Sequence, residues 1–150
     1  MRNSVVVDTS VALKWVLDEP DSNIAVQLLE EWNNRETLIM APALLAYEIT
    51  NALYQRMRRS DFSLERCKEA LIGFTSVSIE FDFSQVFSLS SRTTELAKLY
   101  NLPATYDAHY LALAERQQCE LWTADKRLWN SIRGKLPWVR WLADYRPCIL

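Results

Sequence analysis

The 150-residue sequence predicts an α/β protein: a single domain, residues 1–150, built as a three-layer α/β/α sandwich around a mainly parallel sheet. Three observations carry this. Short apolar runs, beginning with 5-VVV-7, alternate along the chain with segments of helical period. Strands separated by helices need crossover connections, and those pair strands in parallel with helices on both faces. A chain of 150 residues, 49% hydrophobic and 24% charged, matches one soluble domain that can bury a sizeable core.

The elements follow in order. Residues 5–7 are three β-branched residues and form the first strand. Residues 10–17 form a short helix, stopped by 18-DEP-20. Residues 22–33 form a second helix, capped by Asp21 or Ser22. Residues 37–40 are the second strand, and Pro42 opens a long helix reaching about Arg58. A helix over 63–75 starts at Ser63. Residues 77–81 alternate like a strand. Residues 85–100 are helical and Pro103 breaks the pattern. A helix rich in alanine and leucine runs over 104–118, followed by a strand at 120–123. A short helix at 126–133 and a strand at 139–142 complete the set.

Composition closes off several functions. Gly73 and Gly134 are the only glycines, so no glycine-rich loop can cradle a nucleotide phosphate. Cys67, Cys119 and Cys148 have the spacing of neither a zinc knuckle nor a disulfide framework. The net charge of -2 argues against a protein that coats nucleic acid with cations, so any such contact is local or assisted by bound cations. No apolar run reaches the roughly 20 residues of a membrane span, and Met1-Arg2-Asn3 leads straight into a strand rather than a signal peptide. A cytoplasmic protein is expected.

The acids carry the chemistry. In a parallel α/β sheet the ligand edge lies at the carboxyl ends of the strands. Asp8 follows the first strand and Asp125 follows 120-ELWT-123. Glu48 lies in the second turn of the helix after the second strand. Asp107 lies in the first turn of the helix leading into 120–123. Four carboxylates from distant segments therefore meet on one rim. Asn51, three residues after Glu48, shares its helical face and is placed to hold Glu48 or a ligand. Clustered like charges are costly unless a cation binds among them. Carboxylates without histidine or cysteine suit a hard ion, Mg²⁺ or Mn²⁺.

Each acid also has an ordinary structural role open to it. Asp8, or Thr9 or Ser10 in its place, and Asp125 are suited to cap the helices that follow them, Asp107 to complement its helix dipole, and Glu48 to pair with an arginine. What weighs against four separate explanations is that all four acids fall on the same edge. His109 is two residues from Asp107 and so on another face, which makes it a poor candidate base. Trp15 and Trp32, on early helices, are candidates for a dimer face or a partner groove.

Four blocks, 5-VVVDTSVALKW-15, 42-PALLAYEITNAL-53, 105-TYDAHYLALAE-115 and 121-LWTADKRL-128, together resemble the PIN-domain nucleases. Within these, the chain looks like the VapC-type toxins of bacterial toxin–antitoxin pairs. The resemblance implies a metal-dependent ribonuclease, with Asp8, Glu48, Asp107 and Asp125 as catalytic and metal-binding acids. It implies support from Ser10, Asn51 and Thr123, an RNA substrate, a small antitoxin partner and a homodimer. Lys126 and Arg127 are candidate RNA contacts beside Asp125. Arg56, Arg58 and Arg59 more simply match a solvated helix end. The stretch 116-RQQCEL-121 departs from the family pattern, which has a glycine before the last core strand.

Rival readings are a catalytically silent PIN-like binding module and a housekeeping RNA-processing nuclease. A haloacid-dehalogenase-type phosphatase would need a second acid at position 10, where Ser10 stands. The acidic pair and lysine of a receiver domain are also missing.

Overall fold

The computed structural model describes residues 3–83 and 86–148. Five strands form one sheet: β1 (Ser4–Val7), β2 (Leu38–Pro42), β3 (Ile79–Asp82), β4 (Glu120–Thr123) and β5 (Val139–Trp141). Their order is β3-β2-β1-β4-β5, and every neighbouring pair is parallel. The sheet grows outward from β1 through β2 to β3, then resumes on the other side of β1 with β4 and β5. The direction of growth reverses between β1 and β4. In open parallel sheets the crevice above such a reversal is the usual ligand site.

Both faces are covered. Val6 and Leu121 point into one core, beneath α3 (Leu44–Arg59), α4 (Leu64–Thr75), α5 (Ser90–Leu99), α6 (Tyr106–Gln117) and α7 (Lys126–Ile132). Val5, Val7, Ile39 and Trp122 point into the other, beneath α2 (Ser22–Asn34). The alternation follows from the period of two along a strand, and burial on both faces explains the unbroken apolar run 5-VVV-7. A further short helix, α1 (Thr9–Ala12), follows β1 directly.

Several boundaries differ from those expected. The 10–17 helix begins at Thr9, and after Ala12 it tightens into a 3₁₀ turn over Leu13–Trp15. Pro42 ends β2 instead of opening a helix, and α3 starts at Leu44. Neither expected cap serves α2 by its side chain. Asp21 is left-handed (φ 66°) and makes no capping bond, while Ser22 Oγ accepts from Glu19 N and donates to the Leu17 carbonyl. The helix expected from Gln85 begins at Ser90, after a turn over 86–89; Gln85 itself lies outside the described residues. At the missing glycine, Gln118 takes up the left-handed turn (φ 50°, ψ 46°) that ends α6.

Trp15 and Trp32 do not form a surface. Trp32 is buried, with T-shaped contacts to Trp15 at 6.5 Å and Trp122 at 6.3 Å between ring centroids, and Trp122 meets Tyr145 at 6.0 Å. The half-buried Trp15 turns its indole N–H inward, to the Ala25 carbonyl. Among the described residues, no helix is long and apolar enough to cross a membrane.

Candidate active site

The strand β1 ends at Asp8 because its carboxylate turns the chain into α1. With extended backbone (φ -95°, ψ 176°), Asp8 Oδ1 accepts from the Val11 amide, which is the bond expected of a helix cap. Asp8 is only 4% exposed, so it needs further donors. Ser10 Oγ donates to Oδ1 at 2.5 Å, and Thr123 Oγ1, at the end of β4, donates to Oδ2. The same hydroxyls accept from the next turn: Ala124 N donates to Ser10 Oγ (2.8 Å) and Asp125 N to Thr123 Oγ1 (3.0 Å). Ser10 and Thr123 thus join the β1–α1 turn to the β4–α7 turn above the reversal point.

Asp125 also caps a helix, its Oδ1 accepting from Arg127 N (2.8 Å) and Leu128 N (3.3 Å) at the start of α7. At Asp8 and Asp125 the ordinary capping role and the rim position coexist. Glu48, half-buried on α3, receives two hydroxyls on Oε1: Tyr110 from α6 at 2.5 Å and Thr9 from α1 at 3.2 Å. Asp107 lies half-buried in the first turn of α6.

A single small pocket gathers these groups. Asp8, Thr9, Ser10, Glu48, Asp107, Tyr110 and Asp125 line a space of about 70 Å³. Organic ligands occupy roughly 300–1,000 Å³, so this space suits an ion with a few waters. All four expected acids and Ser10 line it, and Thr123 stands behind Asp8. Asn51 is exposed on α3, and the hydrogen bonds of Glu48 go to Tyr110 and Thr9.

The acids carry the electrostatic mark of crowding. Burial raises Asp8 from 3.8 to about 7, against the lowering effect of its Ser10, Thr123 and Val11 hydrogen bonds; the Asp107 charge adds to the rise. Asp107 rises to about 6, first by burial, then through the charges of Asp125 and Glu48, with Arg127 opposing. Burial and the neighbouring Glu48 hold the Tyr110 hydroxyl far above its usual range, so it acts as a permanent donor. Burial lowers His109, partly offset by Glu48.

Among the described residues, no Lys or Arg lines the pocket. Lys126 and Arg127 are exposed at the start of α7. Arg56 reaches towards Glu19 (3.9 Å) and over the Phe62 ring, while Arg58 and Arg59 are exposed at the end of α3. Among the described residues, no three His, Cys, Asp or Glu side chains stand close enough together to hold a metal ion between them. The donor set still fits a hard cation. Its ligating atoms are all oxygens, and Mg²⁺ commonly keeps several waters while bound through one or two carboxylates.

Sequence reasoning missed Thr9 and Tyr110. Tyr110 sits three residues after Asp107, hence on the same helical face, but in a helix rich in alanine and leucine it reads as a core residue. Thr9 stands out in the sequence only as an alternative cap beside Asp8.

A parallel sheet with a carboxylate-lined pocket over its reversal point defines a class of acidic-site α/β proteins. The PIN domain family model matches residues 5–134, and the chain belongs to that family. Among solved structures, it is similar to a toxin–antitoxin complex from Klebsiella pneumoniae, at TM-score 0.64 and 19% identity, covering 91% of this chain and 95% of that one. VapBC2 from Rickettsia felis, bound to a DNA fragment from its promoter, matches at TM-score 0.64 and 14% identity, covering 92% and 98%. VapC20 from Mycobacterium tuberculosis, a sarcin–ricin loop cleaving toxin, matches at 0.55 and 16%, covering 76% and 83%. Comparison with curated protein sequences finds no significant match.

Proposed function

We propose that the whole chain acts as one metal-dependent endoribonuclease, the toxin of a type II toxin–antitoxin pair. The observation that carries this is the pocket itself, where four carboxylates from four separate segments share one small space. Membership of the PIN family and likeness to toxin–antitoxin structures support it.

Asp8, Glu48, Asp107 and Asp125 would hold Mg²⁺ or Mn²⁺. When bound, such an ion supplies a water of lowered pKa and neutralises charge on the phosphate. The chain's own residues do the rest. Ser10 and Thr123 hold both oxygens of Asp8 and fix its carboxylate in place. Asp125 spends Oδ1 on its cap, which leaves Oδ2 for the pocket. Asp107 is less buried than Asp8 and is suited to orient a water or hold its proton. Asn51 is a candidate for polar contact beside Glu48. Lys126 and Arg127 supply positive charge for the RNA backbone next to acids that would otherwise repel it. A small antitoxin, a homodimer and a cytoplasmic setting complete the reading.

The test is cleavage of single-stranded RNA. Activity is expected with Mg²⁺ or Mn²⁺, and its loss in Asp8→Asn and Asp107→Asn. Equal cleavage by wild type and variants would point to a contaminant, and no cleavage at all to a silent binding module. Expression of the chain alone is expected to arrest growth, with relief by a small partner protein; unimpaired growth would remove the toxin role.

A further inference from the structure

We propose that Tyr110, assisted by Thr9, is a positioning residue that clamps one oxygen of Glu48 and so presents the other to the acidic pocket. The inference rests on reading that pocket as a metal-dependent nuclease site.

Three short contacts define the clamp. Tyr110 OH donates to Glu48 Oε1 at 2.5 Å, Thr9 Oγ1 donates to the same oxygen at 3.2 Å, and the two hydroxyls lie 3.1 Å apart. Both donors converge on Oε1. Among the described residues, Oε2 receives no protein hydrogen bond and is the oxygen free to serve a ligand.

A buried tyrosine needs some partner for its hydroxyl, and a backbone carbonyl would suffice. Here the partner is a carboxylate 62 residues away, on a different helix, lining the pocket. Tyr110 is 1% exposed and its ring is packed in the core, so the hydroxyl cannot swing aside. It stands one turn after Asp107 on α6. The bond to Glu48 on α3 therefore ties together two helices that each carry a pocket acid. A glutamate has three rotatable side-chain bonds, and holding one of its oxygens is how an outer partner pre-orients a ligating carboxylate.

The test is Mn²⁺ binding by calorimetry, without RNA, on wild type, Tyr110→Phe, Thr9→Val, Glu48→Gln and the Tyr110→Phe/Glu48→Gln double variant. Tyr110→Phe keeps the ring packing and is expected to weaken Mn²⁺ binding by roughly 10–100-fold, the usual cost of losing an outer partner. Thr9→Val, losing the longer contact, should weaken it several-fold. In the Glu48→Gln background the Tyr110→Phe effect should vanish, because the amide oxygen that accepts from Tyr110 leaves only an NH₂ facing the pocket, which cannot ligate the ion. An unchanged affinity in Tyr110→Phe overturns the clamp, as does an equal loss in the Glu48→Gln background, which would mark a merely structural tyrosine. Should Tyr110→Phe fail to fold, Thr9→Val decides: several-fold weakening supports the clamp and wild-type affinity overturns it. A wild type that binds no Mn²⁺ removes the nuclease reading and the clamp together. A wild type that binds, with an unaffected Tyr110→Phe, removes the clamp alone.

Discussion

Asp8 should make the metal-free protein less stable as pH rises, and Asp8→Asn should abolish that dependence. Burial raises the carboxyl from 3.8 to about 7 in the folded chain. The fold therefore favours the protonated form. The contribution is full below pH 3.8, declines as pH rises, and levels off above about 7. A shift of about 3 units corresponds to about 4 kcal/mol as an upper bound over the whole window, of which roughly 2–3 kcal/mol falls between pH 5 and 8. Asparagine keeps an acceptor for Ser10 and the Val11 amide, and its NH₂ can donate to Thr123 Oγ1, at the cost of reorienting that hydroxyl. The assay is urea unfolding of both proteins in EDTA at pH 5, 6, 7 and 8. The stability difference between them should shift towards Asp8→Asn by about 2 kcal/mol or more across this range, and saturating Mn²⁺ at pH 8 should stabilise wild type far more than the variant. A difference that stays flat with pH would mean that Asp8 titrates as an ordinary surface acid, and the reasoning from burial would be wrong.

Three further outcomes follow from the same geometry. Mn²⁺ must displace protons from Asp107 below pH about 6 and from Asp8 below about 7, so affinity should fall as pH drops through that range; calorimetry at pH 6 in buffers of different ionisation enthalpy counts the protons, and no release would contradict it. Lys126→Ala should raise KM for RNA several-fold and lower the salt slope of binding by about 0.7 if one phosphate contact is lost; an unchanged KM and slope would take Lys126 off the RNA path. Gln118→Gly should raise the unfolding free energy by about 0.5–1 kcal/mol, since the left-handed turn strains any side-chain-bearing residue, less the extra freedom glycine has when unfolded; chemical denaturation reads this, and a loss of stability would show that Gln118 gains more from its contacts than it loses to strain.

The parts of this molecule that were legible in the sequence are those written in local pattern. A β-branched run ending in an acid marked β1 and Asp8, and 120-ELWT-123 marked β4 to the residue. Parallel topology then put the acids on one edge without knowledge of the strand order. That order was not legible, because nothing local in 120–123 says that it pairs with β1 rather than β3. Proline suits both the first turn of a helix and the end of a strand, so Pro42 alone does not decide between them. Asp21 looked like a cap by residue type, but its left-handed backbone takes the carboxylate away from the helix amides. Tyr110 escaped notice because one aromatic residue in an apolar run reads as core, and core it is; only its hydroxyl reaches the pocket.

The pairing of Asp8 with Thr123 spans 115 residues. During synthesis β1 can meet β2 early, but its other edge stays open until β4 leaves the ribosome. Until then Asp8 lacks the hydroxyl that holds its second oxygen, and Asp125 has yet to be made. An enzyme of the proposed kind would thus stay inert until residues 120–125 have been made and have joined the open edge of β1.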